Sequence, residues 1–276
     1  MDTIIGLGNA GCAIADKFAQ YSQYKVYKLD VGLKRTPSTY PLKHHENFED
    51  YERKCPTFSR FFKGIEDEIL FIVGGGGKIS NASLAILSRL KHCKISVLYI
   101  KPDLSFLGSE AKLLNNMVYN VLQEYARSGV FQRIYLVDNI ILENTIPDVT
   151  VKNFYDKLNE AIVSTLHMIN FLNHNNSITD TFSPPPVGVR ISTIGFVEPE
   201  KNEDKMFFLL DNVSDIVYYY ACNKVRLEEE TNLLSEIKKS IKEKNSEEVR
   251  ITYGIFETNY KQDYIYCINH SSVIQA

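Results

Sequence analysis

Tryptophan is absent from the 276 residues, and no apolar run approaches the roughly 18 residues that cross a bilayer as a helix. No membrane partner is expected. The five cysteines, at 12, 55, 93, 222 and 267, are odd in number and form no CxxC. Neither a disulfide framework nor a zinc ribbon is expected, and a reducing cytoplasm is the expected location. Charge of one sign is also lacking: 31 basic against 34 acidic side chains leave a net −3. That excludes a global electrostatic footprint for nucleic acid or anionic lipid. Met1-Asp2-Thr3 offers no basic n-region, so no signal peptide is expected. His44-His45-Glu46 lacks a third ligand at helical spacing, so no metal site is expected there.

What remains is ordinary globular composition, 44% apolar and 24% charged. The length suits one large domain or two small ones. Thr3–Leu7 reads as a strand, followed by a glycine turn, a helix through Ile14 and Phe18, and a strand ending at Asp30. This is the opening of a doubly wound α/β sheet. Residues 31–60 are turn-rich and expected to be loop. Glu68–Val73 is a continuous apolar strand, as a parallel sheet requires. Helices are expected over 81–90 and 109–128, the second with Leu113, Met117, Val121 and Tyr125 as its inner stripe. Strands are expected at 94–100 and 133–137. The longest helical pattern runs from Val151 to about Leu172, with Leu158, Ile162, Leu166 and Ile169 as its apolar stripe. After Pro184-Pro185-Pro186, a smaller α+β region is expected: strand 187–197, helix 204–213, strand 215–222, charged helix 228–244, and strands 248–256 and 263–269.

Two glycine turns carry the chemistry. Gly6-x-Gly8-x-x-Gly11 lies between a strand and a helix, where close backbone approach and free N–H groups favour phosphate. Gly74-Gly75-Gly76-Gly77 ends another strand, and Lys78 adds a cation. Four glycines in a row are costly to order. Ligands of open α/β sheets bind at such strand ends. A bare structural turn remains open for each. Cys12 is expected to be a small packed residue, and Tyr218-Tyr219-Tyr220 a core strand.

These motifs, in this order, resemble the tubulin/FtsZ family. Gly8-Asn9-Ala10-Gly11 with Ile14 resembles the family's first phosphate loop. Phe71 to Gly77 stands where the family has its strand and GGGTGTG signature. Tyr99-Ile100-Lys101-Pro102 and Phe106-x-Gly108 are similar to its TKPF and FEG stretches. Ile134–Val137 with Asp138-Asn139 resembles the strand and loop that follow. Tyr155, Asn159, Glu160 and Ile162 match the opening of the central helix. The likeness continues in outline through Ile251-Thr252-Tyr253-Gly254.

The resemblance implies a Rossmann-like parallel sheet over 1–150, a core helix over 151–174 and a C-terminal α+β domain over 175–276. It implies GTP or GDP at Gly8, Asn9, Ala10, Gly11, Gly75, Gly76, Gly77 and Lys78, with Asn159 on the guanine edge; it leaves Mg2+ open. It implies head-to-tail self-assembly into filaments, with Asp180 polarising water on the next subunit's nucleotide. Several departures weaken the activity. Lys78-Ile79-Ser80-Asn81 replaces Thr-Gly-Thr-Gly, and Leu107 replaces an acid. The 31–67 stretch is short and lacks an AGG-like loop. The hydrolytic stretch at 177–184 has one acid in place of two, beside three prolines. Hydrolysis is expected to be slow or absent, and a phage or mobile element is the expected source. Two alternatives stay open: a pseudo-GTPase scaffold, and a Rossmann oxidoreductase using Gly6-x-Gly8-x-x-Gly11 with Asp30 on a ribose.

Overall fold

The computed structural model describes residues 1–66, 68–146, 149–198, 201–244 and 248–276. Its first half runs β1 (Thr3–Leu7), α1 (Gly8–Phe18), β2 (Lys25–Val31), β3 (Thr39–Leu42), α2 (Glu49–Arg53), β4 (Glu68–Gly74), α3 (Ser83–Leu87), β5 (Lys94–Lys101), α4 (Ser109–Arg127), β6 (Arg133–Asp138), α5 (Asn139–Thr145) and α6 (Phe154–Asn173). The second half runs β7 (Thr179–Asp180), β8 (Ile191–Glu198), β9 (Glu203–Met206), β10 (Val213–Asn223), α7 (Lys224–Glu229), α8 (Leu233–Lys244), β11 (Arg250–Thr258) and β12 (Tyr264–Ser271).

One sheet crosses the molecule in the order β3-β2-β1-β4-β5-β6-β8-β12-β10-β11-β7, with β9 hydrogen-bonded to β8. The six strands from β3 to β6 are all parallel. The order 3-2-1-4-5-6 is that of a doubly wound sheet, and its direction of winding reverses between β1 and β4. Alternation along the strands sends Ile5, Leu7, Phe71, Val73 and Val97 to one face, under α3 and α4. Ile4, Leu70, Ile72 and Leu98 go to the other, under α1 and α6. The join to the second half is short: β6 pairs with β8 only at Ile134↔Ile191 and Tyr135↔Ser192.

The stripe on α6 lies where the sequence places it. Leu158, Ile162, Leu166 and Ile169 are all buried. They share one cluster with Ile4 and Ile72 from the first half and Ile194, Val217 and Ile268 from the second. Tyr218, Tyr219 and Tyr220 are buried in β10, as expected.

Five sequence expectations need correction. Residues 204–213 form no helix; Asn202 turns at φ 54 and β9 pairs back on β8, Gly195 opposite Met206. Gly195 leaves room for that strand, since a Cβ there would fall 2.3 Å from the Lys205 carbonyl oxygen. Tertiary pairing overrides the local helical spacing. On α4 the inner stripe is Leu114, Val118, Leu122 and Ala126; Leu113, Met117, Val121 and Tyr125 are exposed. The two stripes are neighbours in sequence, and spacing alone does not choose between them.

The 81–90 helix is broken, with 3-10 turns at Lys78–Ala82 and Ser88–Leu90. The Ser80, Ser83 and Ser88 hydroxyls each donate to the carbonyl three residues back. Such local bonds compete with the α-helical ladder. Residues 31–60 hold β3 and α2 rather than loop alone. The charged 228–244 helix is two helices. Asn223 caps α7 by accepting from the Val225 and Arg226 amides. Three acids at 228–230 oppose its C-terminal dipole, and it ends there.

Candidate functional site

Both glycine turns sit at the reversal point of the sheet, at the adjacent C-terminal ends of β1 and β4. That crevice is where doubly wound folds place ligands. Helix α1 starts directly after β1, with no side-chain cap at Leu7. Its first amides, on Gly8, Asn9 and Ala10, therefore lack intrahelical acceptors and favour an anion.

The glycines divide by role. Gly6 and Gly11 serve packing. A Cβ on Gly6 would fall 2.3 Å from the Gly11 carbonyl oxygen, and one on Gly11 would fall 2.4 Å from that of Ile72. Helix α1 thus lies directly on β1 and β4. Gly8 holds φ 70 and Gly76 φ 78, in the left-handed region that glycine adopts without strain. Gly75 rests on a buried polar pair. Its Cβ would stand 2.2 Å from both Asn115 Oδ1 and Tyr99 OH, and Tyr99 donates to Asn115 Oδ1 at 2.8 Å. Burial holds the Tyr99 hydroxyl far above the ordinary tyrosine range, so it stays a donor.

The loop after Gly77 departs from a phosphate cradle. Ile79 Cγ2 lies 2.9 Å from where a Gly8 Cβ would be, and 3.9 Å from that of Gly77. An aliphatic side chain thus stands between the two turns. Leu107 Cδ1 covers Gly76 in the same way, at 2.9 Å. Lys78 points outward: its Nζ donates to the Glu46 carbonyl at 2.9 Å and lies 3.5 Å from Glu110 Oε1.

The remaining predicted residues are dispersed. Asn159 is half-buried on α6, one turn past Asp156, which pairs with Lys17 at 2.7 Å. Asp180 lies exposed in β7, at the outer edge of the sheet. It accepts from Ser177 Oγ and, at 3.2 Å, from the Phe182 amide. This segment follows the end of α6, where Asn170 binds Met1 beside the start of β1. Phe182 and Ser183, just after Asp180, share a cavity with Met1 and Glu68, at the opposite end of the parallel strands from the glycine turns.

Two nearby groups are chemically quiet. Burial pushes the Cys12 thiol up to about 12, and its Sγ lies 3.6 Å from the carbonyls of Gly6 and Leu29. Burial also raises Asp30, whose Oδ1 accepts from the Val31 amide at 2.7 Å. The Tyr99–Asn115 support and the Ile79 plug escaped sequence reasoning. The substitution at Ile79 was the one visible sign of the latter.

Solved structures share this fold. The GTPγS-form protofilament of TubZ from Bacillus thuringiensis serovar israelensis superposes with a TM-score of 0.72. The match covers 96% of this chain and 85% of that one at 17% identity. The empty FtsZ dimer of M. jannaschii gives a TM-score of 0.67 at 12% identity, covering 98% and 87%. GDP-bound CetZ1 from Haloferax volcanii gives 0.68 at 16%, covering 99% and 94%. This chain has the tubulin/FtsZ fold. No protein-family model matches the sequence, and no curated protein matches it. No helix among the described residues is long and apolar enough to cross a membrane.

Proposed function

We propose that this chain is a tubulin-like cytoskeletal protein of the cytoplasm that assembles head to tail and holds GTP or GDP between copies. Gly8, Asn9, Ala10 and Gly11 would meet phosphate oxygens from one side, and Gly75, Gly76 and Gly77 from the other. Asn159 would meet the base. The observation that carries this reading is the convergence of two glycine turns and an uncapped helix start at the sheet's reversal point. Mg2+, if it accompanies the nucleotide, would be held by phosphates and water, since the turns offer no carboxylate. Residues 1–150 form the nucleotide half, 151–174 the shared helix and 175–276 the second half.

Separation of Asp180 from the glycine turns supports assembly as the route to any hydrolysis. Only a second copy, stacked end to end, brings that carboxylate to a nucleotide. With one acid already bonded to its own loop, turnover is slow. A scaffold without nucleotide is the second reading, favoured by the Ile79 and Leu107 side chains over the glycines.

Titration with fluorescent GTP, GDP and NADH separates the readings. Micromolar guanine binding is expected. No binding at millimolar nucleotide leaves the scaffold reading, and NADH binding instead would favour an oxidoreductase. Light scattering with and without GTP tests assembly independently.

A further inference from the structure

A second site lies at the other end of the strands. A cavity of about 420 Å³ is walled by the starts of β4 to β6, the last turn of α6 and the sheet of the second half. Its volume is that of a small-molecule pocket. Register brings distant residues together here. Tyr135, Ser192, His270, Asp215 and Arg250 form a single row across β6, β8, β12, β10 and β11. Ser192 Oγ and His270 Nδ1 are 2.7 Å apart, and Arg250 is paired with Asp215.

Three polar atoms on cavity-lining residues are left over. Arg133 Nε, Thr252 Oγ1 and His270 Nε2 are buried without a hydrogen-bond partner. His270 is fully buried, and Thr252 is only 4% exposed. Most buried polar groups are paired, so three orphans around one cavity point to something that pairs with them. Arg133 spends a single hydrogen bond on the Tyr135 hydroxyl, at 3.3 Å, and makes no ion pair among the described residues. Among the described residues that line the cavity, Arg133 and the Met1 ammonium stand against one carboxylate, Glu68. The balance is positive, and the free cation is a guanidinium, whose fork fits an oxyanion.

We propose that this cavity binds a small oxyanion-bearing molecule, with its carboxylate or phosphate on Arg133 and its remaining polar atoms on Thr252 and His270. Such a ligand bridges both halves across the short β6–β8 join, and so couples occupancy to the stability of that join. The site is separate from the glycine turns, and either proposal stands if the other fails.

The test is calorimetric titration of the full chain with citrate and with inorganic phosphate, at constant ionic strength set by chloride. Saturable submillimolar binding of at least one is expected, with a raised melting temperature. Citrate alone identifies a carboxylate ligand, and phosphate alone a phosphate ligand. Thr252→Val keeps shape and removes only the hydroxyl; Arg133→Gln removes the charge. Each should weaken binding about tenfold or more. Arg133→Lys is the fallback if the Gln variant does not fold. No saturable binding of either probe up to about 10 mM, or binding untouched by the Thr252 and Arg133 variants, overturns the proposal.

Discussion

Gly75→Ala is the sharpest probe of how the second glycine turn is supported. The new methyl would land 2.2 Å from both Tyr99 OH and Asn115 Oδ1, which are themselves hydrogen-bonded at 2.8 Å and buried. Both atoms end buried side chains, one a rigid ring in the sheet and the other an amide on α4, so neither has open space to move into. Overpacking a dense site costs roughly 1–3 kcal/mol. Parting a buried pair and leaving its members unsatisfied costs about 1–3 kcal/mol more. The expected loss is thus about 2–6 kcal/mol, a large share of a typical domain's stability. Because tryptophan is absent, urea unfolding is best followed by far-UV circular dichroism.

A double-mutant cycle isolates the cause. Tyr99→Phe alone removes the bond and should cost about 1–2 kcal/mol. In the Gly75→Ala background it also removes one of the two colliding atoms. The pair should then be less damaging than the sum by about 1–2 kcal/mol. An additive cycle, or a Gly75→Ala chain as stable as the parent, would refute this account of the turn.

Three further outcomes are expected. Leu122→Ala, on the buried stripe of α4, should cost about 2–5 kcal/mol, whereas Met117→Ser on the exposed stripe should change stability by no more than about 0.5 kcal/mol; denaturant midpoints compare them. Burial, with Arg133 and Arg250 nearby, holds His270 well below the ordinary imidazole value of 6.5. Its proton is bound in the unfolded chain but not in the native one, so stability is intact above pH 6.5 and falls below it, at up to about 1.4 kcal/mol per pH unit. His270→Gln should flatten that slope in melts taken between pH 7 and pH 5 (about the titration range of imidazole); an unchanged slope would point to other groups. Ile79→Gly should uncover Gly8 and tighten fluorescent GTP binding severalfold, and weaker or equal binding would show that Ile79 does not obstruct the crevice.

Much of the first half was legible because its signals are local. A continuous apolar strand ending in glycines, such as Ile69 to Gly77, allows few other arrangements. The stripe on α6 is equally plain, since Leu158, Ile162, Leu166 and Ile169 have polar or small neighbours on most sides. What failed was decided at a distance. Helix α4 carries two adjacent apolar stripes, and only the sheet beneath selects one. Strand β9 exists because β8 offers an edge and Gly195 a gap. The lower cavity joins residues 133, 252 and 270, whose separation leaves no pattern in the sequence.

The sharing of α6 between both halves bears on how the chain is made. Synthesis delivers the N-terminal part first, at about 5–20 residues per second. When residue 173 has emerged, the parallel sheet and α6 are both present. The apolar surface meant for Ile194, Val217 and Ile268 is still bare. The last of these lies 268 − 173 = 95 residues downstream. At those rates the nascent chain carries an uncovered helix face for roughly 5–20 s. During that interval it is a client for chaperones, and truncated chains ending near residue 174 would aggregate.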